Sequence, residues 1–425
     1  MNEQLQHENE RLRRAVAELT ILNEISSAIS AAKTVEELSD LIIRKCIKHI
    51  SVEQGAIWLF DPAEKQVSAK TFLRVMDTEV LDVPLKIGAS LVGWVLKNNR
   101  PLVVGDFSRD SRFRDIARRY EEIRNLLAVP LSLKNRIIGV LTLFNKRSGD
   151  EFDVEDIRLM SIIASQSAQS IENARLYEEE KRLHELEEDL KVARRIQEAL
   201  LPKESPRVEG YDIAGLSIPA KEVGGDYFDF IDIDGSRLGL AIADVSGKGT
   251  PAALLMAGLQ ACLRGQAALG KSAAETVAKV NLMLSRSIDA GRFVTAVYAQ
   301  LDIAKRALVY VNAGHNYPLV VGSDGVVTPL EFSDMLLGVF PETSYEEKRA
   351  DLAAGDSLVL YTDGITEAED EDGRHYGLDR LCRLLANHRH RPAGEISQRV
   401  LEGVRSFQGN KSQSDDITLV IVKVL

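Results

Sequence analysis

The chain has 425 residues, 45% hydrophobic and 28% charged, with a formal net charge of −11 at pH 7. That length exceeds one ordinary core and predicts two or three domains, and the composition is that of a folded chain and not a disordered one. An acidic balance without a basic stripe excludes a nucleic-acid binder, because neutralising phosphates takes clustered lysines and arginines. Cys46, Cys262 and Cys382 are odd in number and far apart. They predict neither a disulfide framework nor a metal spacing and fit a reducing cytoplasm. The polar start "MNEQLQHENERLRR" does not read as a signal peptide. No apolar run approaches the ~20 residues needed to cross a bilayer.

Residues 1–32 predict a long helix, with Leu5, Leu12, Val16, Leu19 and Leu22 at coiled-coil spacings. Residues 33–170 alternate helix and strand. "VEELSDLIIRKCIKHI" is an amphipathic helix, "GAIWLFD" and "QVSAKTFL" are strands about the turn "PAEK", and "NLLAVPLSL" and "IIGVLTLFNK" form a hairpin about "KNR". The helix "EDIRLMSIIASQSAQSIENARLY" runs on without a break into residues 171–201. There Leu176, Leu183 and Leu190 recur every seven residues, with Leu186, Ala193 and Leu200 offset by three. This a/d heptad either packs on the chain's own domains or pairs with a second copy, and it is read here as a parallel homodimeric coiled coil. Pro202 and Pro206 end it.

From residue 202 to 425 the pattern is strand-rich: "YDIAGLSIPA", "YFDFIDID", "RLGLAIADV", "FVTAVYAQLDI", "ALVYVNAG", "YPLVVGS", "DSLVLYTDG" and "DITLVIVKV". Helical patterns fall near 250–267, 273–289, 377–387 and 393–407. Strand runs with grouped helices predict an antiparallel α+β sandwich. Aspartates recur at the strand ends. Asp226 precedes a strand in "KEVGGDYFDF", Asp244 ends "LGLAIADV", Asp363 ends "SLVLYTDG", and Asp415 and Asp416 open the last strand. Buried and unpaired, such a set is expensive. A hard divalent cation removes the cost, because Mg2+ and Mn2+ prefer oxygen donors. Gly225, Gly247, Gly249 and Gly364 permit the tight turns that close approach requires.

"GASLVGWVLKNNRPLVVGDFSRDSRF", "LLAVPL", "IIGVLTLFNK" and "FDVEDIRLMSIIASQSAQSIENARLY" together resemble a GAF domain over 33–170. That implies a sheet flanked by helices and, in many members, a small-molecule ligand. Asn145, Lys146, Phe152 and Asp156 match a motif of cyclic-nucleotide-binding members, but Ile157 stands where a Glu belongs. The weightier reading is that these residues frame the last strand and helix, as Cys46 is packed within its helix.

"GGDYFD", "ADVSGKGTPAAL", "NAGHNYP", "YTDGITEA" and "SDDITLV", in that order after "ARRIQEALLP", resemble the metal-dependent type 2C (PPM) protein phosphatases. They match the SpoIIE-like, sigma-factor-regulating branch in particular. The resemblance implies an αββα sandwich over 202–425 holding two Mn2+ or Mg2+ ions. Asp244 would bridge them, the Val245 carbonyl would bind the first, Asp363 and Asp415 the second, and Asp226 would be a ligand or hold metal-bound water. Water attacks phosphorus in line and no protein nucleophile is needed. The substrate implied is a phosphoserine or phosphothreonine on an anti-sigma-factor antagonist in a bacterial partner-switching pathway.

Lys221 reads equally as a contact to substrate phosphate and as a solvated lysine. His315 is a general-acid candidate by chemistry, but in this branch its motif reads as structural. Ser246 stands where the wider family has a His, which leaves the general acid open. Asp229 and Asp416 are expected to support the site or to cap turns. The unbroken helix suggests that a GAF signal acts on the Asp244–Ala253 turn. Rivals are a non-catalytic dimeric scaffold, disfavoured by the intact Asp set, and a diguanylate cyclase, disfavoured because Tyr227 replaces the Glu of its Gly-Gly-Asp-Glu-Phe box.

Overall fold

The computed structural model describes residues 34–60, 69–75, 85–113, 122–134, 136–288 and 291–425, with the isolated positions Glu8, Val16 and Thr20. The helix expected over 1–32 otherwise lies outside the described residues, as does the turn "PAEK". The chain divides into two units, Met1–Glu185 and Leu186–Leu425. No helix among the described residues is long and apolar enough to cross a membrane.

In the first unit, helix α1 (Val35–Ile50) starts where the Thr34 hydroxyl accepts from the Glu37 amide at 3.1 Å. It turns Leu38, Ile42, Ile43, Cys46, Ile47 and Ile50 inward. The strands β1 (Val52–Phe60), β2 (Ala69–Val75), β3 (Leu102–Val104), β4 (Leu126–Leu133) and β5 (Arg136–Lys146) form an antiparallel sheet in the order β2-β1-β5-β4-β3. On one face it packs α1 and the start of α3 (Val154–Leu200) through Met160, Ile163, Ala164, Ala168 and Ile171. On the other it packs α2 (Leu85–Asn98) through Leu91, Val92 and Val95. Cys46 is fully buried, and burial pushes its thiol up to about 12, so it serves as a packed apolar group.

Asn145 and Lys146 do structural work. Asn145 is buried in a left-handed conformation (φ 58°), donates to Glu53 Oε2 at 2.9 Å and to the Glu122 carbonyl at 2.8 Å, and accepts from the Arg124 amide at 2.8 Å. The Lys146 ammonium pairs with Asp156 and lies 5.9 Å from the Phe152 ring centroid. The four motif residues thus lock the end of β5 to the start of α3.

In the second unit two five-stranded antiparallel sheets stack. One, in the order β13-β10-β9-β8-β7, comprises β7 (Tyr227–Asp232), β8 (Arg237–Val245), β9 (Val294–Asp302), β10 (Ala307–Ala313) and β13 (Lys348–Asp351). The other, β12-β11-β14-β15-β6, comprises β6 (Tyr211–Ile218), β11 (Leu319–Val321), β12 (Val327–Pro329), β14 (Ser357–Tyr361) and β15 (Ile417–Val424). Their alternating side chains meet in a core that includes Phe228, Leu240, Ile242, Val297, Leu358, Leu360, Val420 and Val422. Outside the first sheet lie α4 (Thr250–Ala267) and α5 (Ala273–Leu284). Outside the second lie α7 (Leu378–His388) and α8 (Ala393–Gln408), with α6 (Asp363–Thr366) at its end. The αββα layering follows the strand and helix patterns in the sequence. Two short strands, β12 and β13, were not legible there, being three and four residues long.

Asp229 does not cap a turn. It is fully buried on β7, where Arg264 of α4 grips it bidentately at 2.6 and 2.9 Å and the Tyr227 hydroxyl donates to it at 2.7 Å. This network pins to α4 the strand that begins one residue after Asp226. Arg264→Met would leave a buried carboxylate short of its cation and cost about 2 kcal/mol, moderated by the 49% exposure of the arginine side chain. Urea denaturation should show that loss, and adding Asp229→Asn to Arg264→Met should recover part of it. A double variant weaker than Arg264→Met by the full Asp229→Asn cost would show that the two side chains act independently.

Candidate active site

The strand ends gather carboxylates at one end of the sandwich. Continuing the antiparallel register one step past the Tyr227–Ala243 pair sets Asp226 opposite Asp244. From the other sheet, β14 and β15 pair Tyr361 with Leu419, and the Thr362 amide donates to the Thr418 carbonyl at 3.0 Å. Asp363 does not end the strand as the sequence suggested. The strand stops at Tyr361, Thr362 is the N-cap, and Asp363 opens α6. Asp415 sits just ahead of β15, its Oδ1 accepting from the Asp416 amide at 3.0 Å.

The electrostatics show that these carboxylates feel one another. Burial, then the charges of Asp363 and Asp415, push the Asp244 carboxyl up to about 7. Burial, then Asp244, holds Asp226 well above the carboxylate range. Asp363 is raised by burial, then by Glu367 and Asp415. The cation offsetting this is Lys248, whose Nζ lies 2.7 Å from Asp415 Oδ2 and donates to the Ser414 carbonyl at 2.6 Å.

The donors suit a hard divalent ion, being carboxylate and carbonyl oxygens. The backbone is shaped for close approach as well: a Cβ on Gly225 would stand 2.9 Å from the Val245 carbonyl oxygen, and one on Gly364 would collide with the Asp416 carbonyl. Among the described residues no three His, Cys, Asp or Glu side chains close on one point tightly enough to hold an ion alone. An ion there would take part of its shell from water, as Mg2+ does readily.

The remaining predicted residues separate by role. Lys221 is exposed on the bend ahead of Asp226 and makes no hydrogen bond or ion pair with a described residue. Ser246 extends the β8–β9 ladder, accepting from the Phe293 amide through Oγ at 2.8 Å and donating to its carbonyl at 3.0 Å. His315 is buried. Its Nε2 faces the Tyr361 carbonyl at 3.1 Å, which can only accept, so Nε2 carries the proton and Nδ1 accepts from the Thr295 hydroxyl at 2.8 Å. Burial lowers its pKa to about 4, so at neutral pH it is a neutral linker between the two sheets.

Sequence reasoning passed over Lys248, Thr362 and Gln197, and left Asp416 undecided. Asp416 is buried and accepts backbone amides of Ala220 at 2.7 Å and Gly225 at 2.6 Å. Gln197, on the last turn of α3, brackets Gly224, donating to its carbonyl at 2.6 Å and accepting its amide at 3.0 Å. Gln260 of α4 also donates to the Leu200 carbonyl at 3.3 Å. The end of the helix therefore bonds the Gly224 turn and α4, whose first residues overlap the Asp244–Ala253 turn that the sequence pointed to. The available signal was modest: polar residues immediately beside motif aspartates, and one glutamine within a charged helix.

Residues 234–425 match the family Stage II sporulation protein E (SpoIIE), and residues 32–172 match the GAF domain. The chain is 30% identical over 240 residues to phosphoserine phosphatase RsbU of Bacillus subtilis (strain 168), covering 56% of this chain and 71% of that protein. It is 26% identical over 244 residues to phosphoserine phosphatase RsbP of the same organism, covering 56% of this chain and 58% of that protein. The SiaA-PP2C domain of Pseudomonas aeruginosa superposes with a TM-score of 0.51 at 24% identity, over 57% of this chain and 98% of that domain, which shows the shared fold.

The state of His315 carries a pH signature. Its folded pKa of about 4 lies below its ordinary 6.5, so the unfolded chain binds the proton first. This group costs no stability above pH 6.5, and its cost grows as pH falls from 6.5 to 4, reaching about 3 kcal/mol. Urea denaturation at pH 7 and pH 5 should show wild type losing more stability than His315→Gln. Equal losses would remove His315 as the cause.

Proposed function

The chain belongs to the SpoIIE family of protein phosphatases, and on that premise we propose that residues 202–425 hydrolyse phosphoserine or phosphothreonine on a protein substrate under the control of a GAF sensor at 33–170. The observation that carries this reading is Asp244. It is partly buried beside Asp363 and Asp415, with its carboxyl pushed up to about 7, on a chain 30% identical to a phosphoserine phosphatase. A protein that only needed the fold would gain nothing by gathering these charges.

Asp226, Asp244, Asp363, Asp415 and the Val245 carbonyl would hold two Mn2+ or Mg2+ ions. When bound, such ions supply Lewis-acid stabilisation of the phosphoryl oxygens and a water of lowered pKa. The chain's own contribution is position. Strand ends fix the carboxylates, glycines let the turns meet, and Lys248 holds Asp415. Lys221, exposed ahead of Asp226, is free to reach the substrate phosphate as a point charge. His315, held neutral between a carbonyl and a hydroxyl, is not proposed as the acid.

Residues 171–201 are proposed as the linker. Leu176, Leu183 and Leu186 on its heptad positions are 52, 52 and 56% exposed, a stripe that a second copy of the chain would cover in a homodimer. The substrate reading is an anti-sigma-factor antagonist in a cytoplasmic partner-switching pathway, and its phosphoserine is in keeping with the phosphoserine phosphatases RsbU and RsbP. Control would reach the site through Gln197, because two hydrogen bonds tie it to the glycine two residues before Asp226.

Release of phosphate from p-nitrophenyl phosphate and from a phosphoserine peptide should require Mn2+ or Mg2+ and stop with EDTA. Asp244→Ala should lower it at least about hundredfold. No release with either metal, from either substrate, would leave the dimeric scaffold as the better reading. Gln197→Ala removes two hydrogen bonds from the Gly224 turn and should lower the Mn2+-saturated rate about tenfold. An unchanged rate would show that the helix end does not act on the site.

A further inference from the structure

The side chains of Thr362 and Asp416 both bear on Asp226 and its turn. The Thr362 side chain is fully buried, and its hydroxyl lies 2.8 Å from Asp226 Oδ2, 3.0 Å from the Thr418 amide nitrogen and 3.4 Å from the Asp416 carbonyl oxygen. The amide can only donate, so it takes a lone pair of the hydroxyl and leaves the single hydroxyl proton for an acceptor. The carboxylate is the nearer acceptor and the more strongly attracting one. Thr362 therefore donates to Asp226 and fixes the rotation of its carboxylate.

Asp416 holds the backbone of the same residue. Its Oδ1 accepts from Ala220 N at 2.7 Å, and its Oδ2 from Gly225 N at 2.6 Å and Asp226 N at 3.4 Å. A Cβ on Gly224 would overlap this carboxylate, so the glycine is what lets it approach the turn. Both oxygens of Asp416 are thus spent on amides, whereas Asp415 beside it is turned toward Lys248.

We infer that Thr362 and Asp416 are positioning residues for divalent-ion binding: together they set Asp226, which immediately precedes β7 of the first sheet, from the adjoining ends of β14 and β15 in the second. The inference rests on the reading that Asp226 takes part in holding the ions. Neither residue touches ion or substrate in this assignment. Each acts through Asp226, as hydrogen-bonded partners of metal ligands do elsewhere, where losing one lowers metal affinity about 10- to 100-fold.

The test is direct Mn2+ binding to the full chain, read from the free-Mn2+ electron paramagnetic resonance signal, with p-nitrophenyl phosphate kinetics at saturating Mn2+ alongside. Thr362→Val keeps the shape and removes the donor, and it should weaken Mn2+ binding about tenfold or more. Thr362→Ser restores the donor and should bind within about threefold of wild type. Asp416→Asn puts an N–H against amide donors and should also weaken Mn2+ binding, with the substrate KM at saturating Mn2+ unchanged in all three variants. Thr362→Val binding as wild type, or Val and Ser weakening binding equally, overturns the inference and leaves Thr362 a packing residue. If Thr362→Val does not fold, Thr362→Cys, of similar size and a weak donor, is judged by the same criteria. A wild-type chain that binds no Mn2+ overturns the metal reading itself, and the inference with it.

Discussion

Like charge in a partly dry place is the constraint around which the second unit is arranged. Asp226, Asp244 and Asp363 all have raised carboxyl pKa values, and in each case burial is the largest cause, followed by another carboxylate. Such groups repel one another more as water is excluded. They stay together because each is fixed by a separate element, Asp226 ahead of β7, Asp244 on β8 and Asp363 at the start of α6, and because glycines at 224, 225 and 364 remove the side chains that would keep those elements apart. A site of this kind is unfavourable for the bare protein and favourable for a protein that binds cations. Selection for stability alone would have replaced at least one carboxylate.

The fold and the four clustered strand-end aspartates were legible because both depend on local pattern. Strands of the central sheets are long, apolar and bounded by turn residues, so their ends could be found, and the aspartates stand at those ends. What was not legible depends on contacts between residues far apart in the chain. Asp416 and Gly225 are separated by 191 positions and Thr362 and Asp226 by 136, and no periodicity within either segment marks the pairing. Asp363 was misplaced by one element for a related reason. "SLVLYTDG" carries strand propensity to its end, but the Thr362 hydroxyl is held by Asp226 and Thr418, its backbone is the N-cap, and the next four residues form α6.

The same distinction separates motif from mechanism elsewhere. Asn145, Lys146, Phe152 and Asp156 could be read as ligand-binding residues from their spacing. Their hydrogen bonds and ion pair are instead used up within the first unit, on Glu53, Glu122, Arg124 and on one another. His315 is a similar case. Its chemistry suits proton transfer at neutral pH, yet a carbonyl on one side and a hydroxyl on the other spend both ring nitrogens. In each instance a residue type suggested chemistry and its hydrogen-bond partners assigned it to structure.

Asp226 differs from the other three carboxylates in how it is held. Asp244 is part of β8, Asp363 starts α6, and Asp415 is tied to Lys248, so each has its own local support. Asp226 follows two glycines and is secured from three directions: by Thr362 at its carboxylate, by Asp416 at its backbone, and by Gln197 through Gly224. Gln197 alone of these lies on the helix that continues from the GAF segment. A change at that helix end would bear on Asp226 through the Gly224–Gly225 turn directly, and on Asp415 only through the Asp416 carboxylate and amide beyond it. The glycines that make the turn compliant, and the three contacts that hold it, are together what a site needs if its ion binding is to be adjustable without rebuilding the sandwich.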